Sequence, residues 1–304
     1  MRALLIGAVE GTRVAMETIA AASGWELAGL LTLPPQLKGR HSDFDDLAGD
    51  AARLGAEVVF ADNGNAPATV AAVEKIAPDI SFVIGWSQLC RPALVRAAGG
   101  RMVGYHPAPL PRLRGRAAIP WTILLGERIT ASTLFWVGEG VDEGPILAQR
   151  FFIVAPDETA RSLYTKHMRA LERALQGLLP QLLMGDVPGE DQDHRLATWG
   201  ARRNADDGRI DWSRPAVEIE RLIRAVGRPY PGAFTFSGAD KLTIWSASLS
   251  ADGARHHASP GQVILGDGET FGVMCGDGVA LSVGVYESSA GTAPRLNAML
   301  GRAP

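Results

Sequence analysis

The sequence predicts an α/β fold, in which a Rossmann-like, doubly wound and mainly parallel sheet is followed by a smaller C-terminal β-barrel of OB-like type. The first half of the 304-residue chain alternates short apolar runs with amphipathic stretches, which is the pattern of β-α-β units. The composition then changes at residues 185–193, a stretch rich in glycine, proline and acidic residues. Beyond it, short strand-like runs are separated by Gly-Asp turns, as in small barrels. Because single cores rarely grow to this length, we expect two domains.

Hydrophobic spacing predicts the elements of the first domain in order. Strands are predicted at residues 3–6, 27–31, 58–60 and 80–84. Helices, with apolar residues three and four positions apart, are predicted between them at residues 12–22, 44–54 and 68–76. Two further strands and a long helix are predicted at residues 131–137, 146–152 and 159–183.

The stretch at residues 185–193 is interpreted as a linker to the second domain. After it, the sequence predicts a short helix at residues 216–226 and strands that include residues 242–245 and 271–274. We therefore predict a first domain over residues 1–190 and an accessory domain over residues 191–304.

The bulk composition excludes several classes of protein. Hydrophobic residues make up 46% of the chain and charged residues 21%, which is too apolar for a disordered protein. The net charge of -3 supplies no positive field for phosphate backbones, so a nucleic-acid partner is disfavoured. No apolar run approaches the ~18 residues that span a bilayer, and the amino terminus lacks a signal-peptide pattern. We expect a cytoplasmic protein without a membrane partner, in which Cys90 and Cys275 are buried free thiols rather than part of a metal site.

Ligands of doubly wound sheets lie beyond the carboxyl ends of the strands, which directs attention to residues 7–12, 85–89 and 104–115. The first segment lacks the glycine spacing of a dinucleotide fingerprint, and Glu10 would repel a pyrophosphate. We interpret it as a tight strand-to-helix turn and not as a nicotinamide site. The third segment contains three prolines within five positions, which remove backbone donors and restrict φ. It is therefore predicted to be a rigid loop.

His106 begins this loop, and Asp142 lies in a glycine-rich turn between two predicted strands. Alone, His106 fits a histidine that caps a strand, and Asp142 fits a turn aspartate that binds its own backbone. Together they suggest a carboxylate that orients an imidazole and stabilises its charged form, as in a general acid or base near neutral pH. The pair is the predicted chemical centre.

A series of spaced motifs accompanies this pair. In the first half they are the run 106–115, Pro120-Trp121, Gly126-Glu127 and Asp142-x-Gly144-x-Ile146. In the second half they are Arg202-Arg203, Asp207-Gly208-x-Ile210-Asp211-Trp212 and Arg224-Ala225-x5-Pro231-Gly232-Ala233. The first set resembles the core signature of the 10-formyltetrahydrofolate-dependent formyltransferases, and the second is similar to members that formylate amino sugars on a nucleotide carrier. The resemblance covers nearly the whole chain.

The resemblance implies that 10-formyltetrahydrofolate is the formyl donor and that residues 1–190 form the folate-binding catalytic domain. It implies that His106 is a donor near the developing oxyanion and that Asp142 is its partner and a proton acceptor. The residues implied to bind the folate are Gly85, Trp86, Ser87, Gln88 and Leu89, through their backbone groups, together with Val137, Gly138, Gly140 and Val141.

Gly104 departs from the resemblance, because the family usually places an asparagine two residues before the histidine, where its amide stabilises the oxyanion. Loss of one such donor commonly costs ~3 kcal/mol of transition-state stabilisation. Either another donor substitutes, or the reaction is slow, or the chemistry has changed. The missing side chain at Gly104 is also expected to open space for a backbone amide or a water molecule at the catalytic centre. Ala108, in place of the usual serine, is a milder departure.

The acceptor amine is indicated by the arginines of the loop. Arg112, Arg114 and Arg116 crowd the predicted mouth of the site, where they fit a sugar-nucleotide pyrophosphate or the glutamate tail of the folate. The alternative is that they bind carboxylates within the fold. Tyr230 and Trp212 either stack on a nucleotide base or fill a core.

Three functions remain open. The first is formylation of a small-molecule amine, with a nucleotide-linked amino sugar as the favoured acceptor and an amino acid or hydroxamate precursor as the alternative. The second is formylation of methionyl-tRNA, which is weakly supported because residues 32–42 contain only Lys38, Arg40 and His41 as basic residues and acids follow them. The third is hydrolysis of formylfolate, or folate binding without catalysis. The sequence leaves a homodimer open.

Overall fold

The computed structural model describes residues 1–40, 42–185 and 187–301. His41, from the weakly basic stretch, and Asp186, from the predicted linker, lie outside the described residues. Elements are numbered in chain order. Those that precede the second half of the chain are β1 (Arg2–Ile6), α1 (Glu10–Ala21), β2 (Glu26–Thr32), α2 (Ala48–Arg53), β3 (Glu57–Phe60), α3 (Pro67–Ile76), β4 (Ile80–Val83), α4 (Pro92–Ala97), β5 (Met102–His106), β6 (Arg114–Gly115), α5 (Ala118–Leu124), β7 (Ile129–Trp136) and β8 (Ile146–Ile153).

The remaining elements are α6 (Ala160–Met184), β9 (Trp199–Gly200), α7 (Ala216–Ala225), β10 (Ala233–Ser237), β11 (Asp240–Ser250), β12 (Val263–Gly266), β13 (Phe271–Met274) and β14 (Ala280–Ser288). None of the helices in the described ranges combines the length and apolarity needed to cross a bilayer.

The chain divides into two compact units that interleave in sequence. The first comprises Met1–Ala118, Ile129–Val154 and Tyr164–Ala201. The second comprises Ile119–Arg128, Ala155–Leu163 and the described residues from Arg202 onward. A single cut after residue 190 therefore does not describe these units, because two short segments of the first half belong to the second unit. The assignment of domains to residues 1–190 and 191–304 stays a prediction.

The first unit is built on a seven-stranded, mostly parallel sheet with the order β3-β2-β1-β4-β5-β7-β8. Strands β3, β2, β1, β4 and β5 run parallel, and β7 and β8 add in the antiparallel direction. Alternate residues of β1 enter different cores. Ala3 and Leu5 pack with residues of α1 and α6, whereas Leu4 and Ile6 pack with residues of α3 and α4. Helices thus cover both faces, which confirms the predicted doubly wound sheet.

Local chemistry explains where the elements differ from their predicted bounds. The predicted helix at residues 44–54 starts only at Ala48, because Phe44 forms a bridge with Val9 and Asp46 Oδ1 accepts the Ala48 N–H. The turn at residues 7–12 is tight, as predicted: Thr12 Oγ1 donates to the Ile84 carbonyl oxygen over 2.6 Å. The strand β5 and the helix α4 were not specified by the periodicity.

The second unit contains a five-stranded antiparallel sheet with the order β10-β11-β14-β13-β12. The segment at residues 297–301 connects its two edges: Gly301 N–H donates to Phe236 O over 2.9 Å, and Asn297 N–H donates to Val263 O over 2.9 Å. These bonds link β10 and β12 as a small barrel requires. Trp212 is 4% exposed and its Nε1 donates to Thr235 Oγ1, so this residue fills the core and is not available to stack on a base.

Candidate active site

His106 is the last residue of β5, at the carboxyl edge of the parallel strands. It is paired in the sheet with Thr133 of β7, the antiparallel neighbour of β5, and this pairing holds its backbone. The residue is 6% exposed, and its Nε2 lies 2.6 Å from the carbonyl oxygen of Leu113. Because a carbonyl oxygen can only accept a hydrogen bond, Nε2 carries a proton in this arrangement. The nitrogen that can gain or lose a proton is therefore Nδ1.

Asp142 lies in the loop between β7 and β8, which brings its carboxylate to His106. Its Oδ2 is 3.5 Å from His106 Nδ1 and accepts a hydrogen bond of 2.8 Å from the Gly115 N–H. The Asp142 backbone has a φ of 53°, in the left-handed region that aspartate tolerates better than most residues. The predicted convergence of His106 and Asp142 is confirmed, while their catalytic roles stay a prediction.

The predicted rigid loop after His106 is held by a second segment of the first unit. Strand β6 pairs with β9, so that Arg114 faces Trp199 and Gly115 faces Gly200. Gly115 has a φ of 97°, and a Cβ there would lie 2.8 Å from the Gly200 carbonyl oxygen. Glycine is therefore required at the residue whose N–H binds Asp142.

Arg114 does not line the mouth of the site, which corrects its predicted role in substrate binding. The residue is 2% exposed, and its Nε and Nη2 donate to Gln192 Oε1 over 3.1 Å and 2.6 Å. Its Nη1 lies 3.2 Å from His194 Nδ1. In the sequence, Arg114 lies among prolines and other arginines, which is typical of an exposed loop. Only the fold shows that its side chain is buried.

Gln192 was not predicted by the sequence analysis. It is 6% exposed, and its Nε2 donates to the carbonyl oxygens of Asp142 and Gly144 over 2.9 Å and 2.7 Å. The residue lies 50 positions after Asp142 in a segment that was interpreted as a linker. No local pattern marks it, because its role depends on a contact distant in sequence.

The other two loop arginines are exposed. Arg116 Nη2 donates to the carbonyl oxygen of Ser87 over 2.8 Å, so this guanidinium lies against the segment predicted to bind folate. Arg112 is also exposed and has its own interactions within the chain. Their predicted roles in binding substrate stay predictions.

Gly104 does not open space beside His106, which corrects the expectation drawn from the missing asparagine. It faces Phe135 across the β5–β7 pair. A Cβ at position 104 would lie 2.6 Å from Phe135 Cζ, and Phe135 is 5% exposed. An aromatic ring therefore fills the volume that a side chain at position 104 would need.

The segment from Gly85 to Leu89 follows β4, as expected for a ligand-binding turn. Gly85 has a φ of 73°, and a Cβ there would lie 2.0 Å from Val9 Cγ2. The Gln88 side chain is held by the turn that precedes α3, where its Oε1 accepts the Gly64 N–H over 3.0 Å. Within residues 1–40, 42–185 and 187–301, no group accepts a hydrogen bond from the backbone N–H groups of Trp86, Ser87, Gln88 or Leu89. These donors are free for a ligand.

The other predicted folate residues lie around the Asp142 loop. Val137 continues from β7, with its N–H donating to Met102 O over 2.8 Å, and packs on the same cluster as Trp86. Gly140 N–H donates to Glu143 Oε1 over 2.7 Å, and a Cβ at Gly138 would contact Gly144 at 3.7 Å. Val141 is 45% exposed.

Tyr230 belongs to the second unit, where it is half-buried and its N–H donates to Gly227 O over 3.1 Å. Its predicted role in substrate binding stays a prediction.

A buried polar chain in the first unit was also not predicted. Tyr105 OH lies 3.1 Å from Ser132 Oγ, which lies 2.9 Å from Nδ1 of His167 on α6. Burial, and secondarily the charge of nearby His106, lower the pKa of His167 to about 3. His167 is therefore neutral near pH 7. The sequence does not single it out, because it occupies a position of α6 that follows the same three- and four-residue spacing as the apolar core residues.

Comparison with protein-family models gives two matches. The model described as formyl transferase matches residues 16–179, and the model described as formyl transferase, C-terminal domain, matches residues 203–293. Together they include both members of the His106 and Asp142 pair and most of the second unit.

Solved structures with the same fold include three informative ones. HypX from Aquifex aeolicus in complex with tetrahydrofolic acid is 20% identical, with a TM-score of 0.65. It is matched over 93% of this chain but only 43% of its own length, so this chain spans less than half of HypX. An N-formyltransferase from Helicobacter canadensis, in complex with folinic acid and dTDP-3-aminofucose, is 16% identical over 93% of this chain and 98% of its own, with a TM-score of 0.64. WlaRD, a sugar 3N-formyl transferase in the presence of dTDP and 5-N-formyl-THF, is 15% identical over 97% and 99%, with a TM-score of 0.67.

Proposed function

The chain belongs to the formyl transferase family, and we propose that it transfers a formyl group from 10-formyltetrahydrofolate to the primary amine of a nucleotide-linked amino sugar. The observation that carries this proposal is the His106 and Asp142 pair, with Nδ1 and Oδ2 separated by 3.5 Å at the carboxyl edge of the sheet. An imidazole beside a carboxylate is suited to moving the one proton that the acceptor amine must lose.

The residues around this pair fit a folate. Four free backbone donors between Trp86 and Leu89 suit the hydrogen-bonding edge of a pterin. Leu89 and Val141 are 63% and 45% exposed, and apolar side chains of this kind suit contact with an aromatic ring system. The Arg116 guanidinium, next to Ser87, suits a carboxylate of the glutamate tail.

The reaction requires a bond between the amine nitrogen and the formyl carbon, cleavage of the bond from that carbon to the folate nitrogen, and transfer of one proton from the amine to the departing folate. His106 Nδ1 would hold or release that proton, because Nε2 is engaged with Leu113 O. Asp142 would stabilise the protonated ring and keep it oriented.

The acceptor class is supported by two relatives of nearly equal length. One is described as a sugar 3N-formyl transferase, and the other is described as an N-formyltransferase and contains dTDP-3-aminofucose. As part of the same proposal, the protein acts in the cytoplasm, in keeping with its two free cysteines, Cys90 and Cys275.

The test is to incubate the protein with 10-formyltetrahydrofolate and a panel of amines that includes dTDP-linked 3-amino and 4-amino sugars, and to follow release of tetrahydrofolate. Transfer to an amino sugar supports the proposal. Release without any amine, with formate as the second product, would instead show a hydrolase, and folate binding without turnover would show a binding protein.

Two substitutions locate the chemistry. We expect His106→Ala to abolish transfer while the far-UV circular dichroism spectrum is retained. The matched control is His257→Ala, at an exposed position of the second unit, which should transfer at the wild-type rate. Near-normal transfer by His106→Ala would remove this residue from the mechanism.

A further inference from the structure

The segment at residues 192–200 contacts the candidate site at three positions, and we name it the strap. At one end, Gln192 donates to the carbonyl oxygens of Asp142 and Gly144. At the other end, the Gly115 backbone is paired with Gly200 in the β6–β9 pair. Between them, Thr198 Oγ1 accepts the Leu113 N–H over 2.9 Å. The strap thus holds the backbone of Leu113 and Gly115, which bind the side chains of His106 and Asp142.

Gln192 is itself held by a buried charge. Both Nε and Nη2 of Arg114 donate to Gln192 Oε1, which fixes the amide so that its Nε2 can only point the opposite way. That nitrogen carries two protons, and two carbonyl oxygens accept them. Every strong polar atom of the Gln192 side chain is therefore engaged, in surroundings where an unsatisfied group would be costly.

The backbone at Asp142 has a conformation that needs such support. Its φ of 53° is disfavoured for a residue with a Cβ, so the loop would otherwise relax toward ordinary conformations. Rotation of the Asp142 peptide would move Oδ2 away from both His106 Nδ1 and the Gly115 N–H. Gln192 binds the carbonyl of this peptide and that of Gly144, two residues later.

We propose that Gln192 is a positioning residue. Its amide is fixed by Arg114 and binds the Asp142 and Gly144 carbonyls, and it thereby holds the Asp142 carboxylate beside His106. The proposal rests on the proposed function for its effect on rate. Its structural content can be tested without any turnover.

The test compares Gln192→Ala with Gln192→Glu. The alanine variant removes all four hydrogen bonds. The glutamate variant keeps acceptors for Arg114, and adds an opposite charge that stabilises the buried guanidinium, but it cannot donate to the two carbonyls. The control is Gln181→Ala on α6, where an exposed glutamine also donates its Nε2 to a backbone carbonyl, that of Gly177, over 2.8 Å.

The first readout is amide hydrogen exchange, resolved by residue, in the protein without substrates. The Gly115 N–H should exchange at least tenfold faster in both Gln192 variants, because its acceptor is Asp142 Oδ2. The Arg114 and Arg116 N–H groups, which donate to Thr198 O and Gly200 O, should keep their protection and show that the strap is still paired. Unchanged Gly115 exchange in the glutamate variant would overturn the proposal.

The second readout is steady-state kinetics. We expect kcat to fall about 100-fold in Gln192→Glu with little change in the KM for the folate, because a misplacement of about 1 Å can have an effect of that size. The Gln181→Ala control should match the wild type. An unaltered kcat in the glutamate variant would overturn the positioning role, whereas a wild-type enzyme that formylates no amine would count against the proposed function alone.

Discussion

At the scale of single residues, Asp142 combines a left-handed backbone with a carboxylate that meets two partners, His106 Nδ1 and the Gly115 N–H. Asparagine adopts the same backbone conformation readily and keeps an oxygen that can accept the Gly115 N–H. Replacing Asp142 by asparagine therefore removes the negative charge and little else.

We therefore predict that Asp142→Asn lowers kcat/KM by about 100-fold or more, in the range expected for loss of a group that tunes a general acid or base. The thermal midpoint of unfolding should stay close to that of the wild type, because the hydrogen bond and the backbone conformation are retained. Steady-state kinetics and calorimetry check the two expectations. Near-normal kinetics would show that the negative charge of Asp142 is not used.

Gly104 and Phe135 form a second residue-scale feature. The Phe135 ring packs directly against Gly104, so that a Cβ at position 104 would lie 2.6 Å from Phe135 Cζ. A glycine and a phenylalanine thus share a volume across two strands, and each limits the size of the other.

We predict that Gly104→Ala lowers the free energy of unfolding by about 1–3 kcal/mol, the usual effect of overpacking a core. Phe135→Leu in the same chain should recover part of this loss, so that the two substitutions are not additive. Urea denaturation of the wild type, both single variants and the double variant measures the coupling. Strict additivity would contradict the contact.

At the scale of elements, helix α6 packs on one face of the sheet and buries His167 between the helix and the sheet. The ring is fully buried, its Nδ1 lies beside Ser132, and its Nε2 has no hydrogen-bond partner within the described part of the chain. Protonation there would bury a charge, chiefly opposed by desolvation and also by His106, which is why the pKa falls to about 3.

This burial has a consequence for stability against pH. In the unfolded chain His167 takes up a proton as the pH falls below about 6.5, whereas in the folded protein it stays neutral down to about pH 3. The unfolded state therefore binds more protons in this interval, and the free energy of unfolding decreases as the pH falls, by roughly 1 kcal/mol per pH unit from this residue.

We predict that His167→Asn, which keeps a polar atom near the Nδ1 position but does not titrate, reduces the loss of stability between pH 6.5 and pH 4. The exposed His257→Asn serves as the control and should leave the slope unchanged. Denaturant unfolding at a series of pH values gives the measurement. Equal slopes for His167→Asn and the wild type would mean that His167 is charged or hydrated in the fold.

At the scale of the whole molecule, the net charge of -3 disfavours a long polyanion as partner. In the weakly basic stretch, Arg40 is also engaged within the fold, since its Nη1 donates to Asp62 O over 2.6 Å. Of the nearby acids, Asp43 accepts from Tyr164 OH and Asp45 pairs with Arg13.

We predict that initiator tRNA forms no salt-dependent complex with the protein in a gel-shift titration near 0.15 M salt. The contrary result would be a complex that weakens steeply as salt increases. The first place to examine would then be the groove of about 630 Å³ between β8 and α6, which is lined by Arg150, Arg169 and Arg173. Charge reversal at Arg169 and Arg173 would test that location.

Much of the fold could be predicted because its signals are local. The apolar runs that became β1 to β4 and the long amphipathic stretch that became α6 are visible as periodicity, and residues 271–274 form β13 as predicted. The proximity of His106 and Asp142 was also predicted, since one ends a parallel strand and the other lies in a glycine-rich turn between strands.

Tertiary structure alone decided the surroundings of that pair. The burial of Arg114, the contact of Gln192 with a carbonyl 50 residues earlier, and the ring of Phe135 against Gly104 all join segments that are distant in sequence. Periodicity reports which face of an element is apolar, but it carries no record of which distant backbone group a side chain will meet. The sequence motifs therefore determined the candidate pair of His106 and Asp142, and packing across the fold decided which residues surround it.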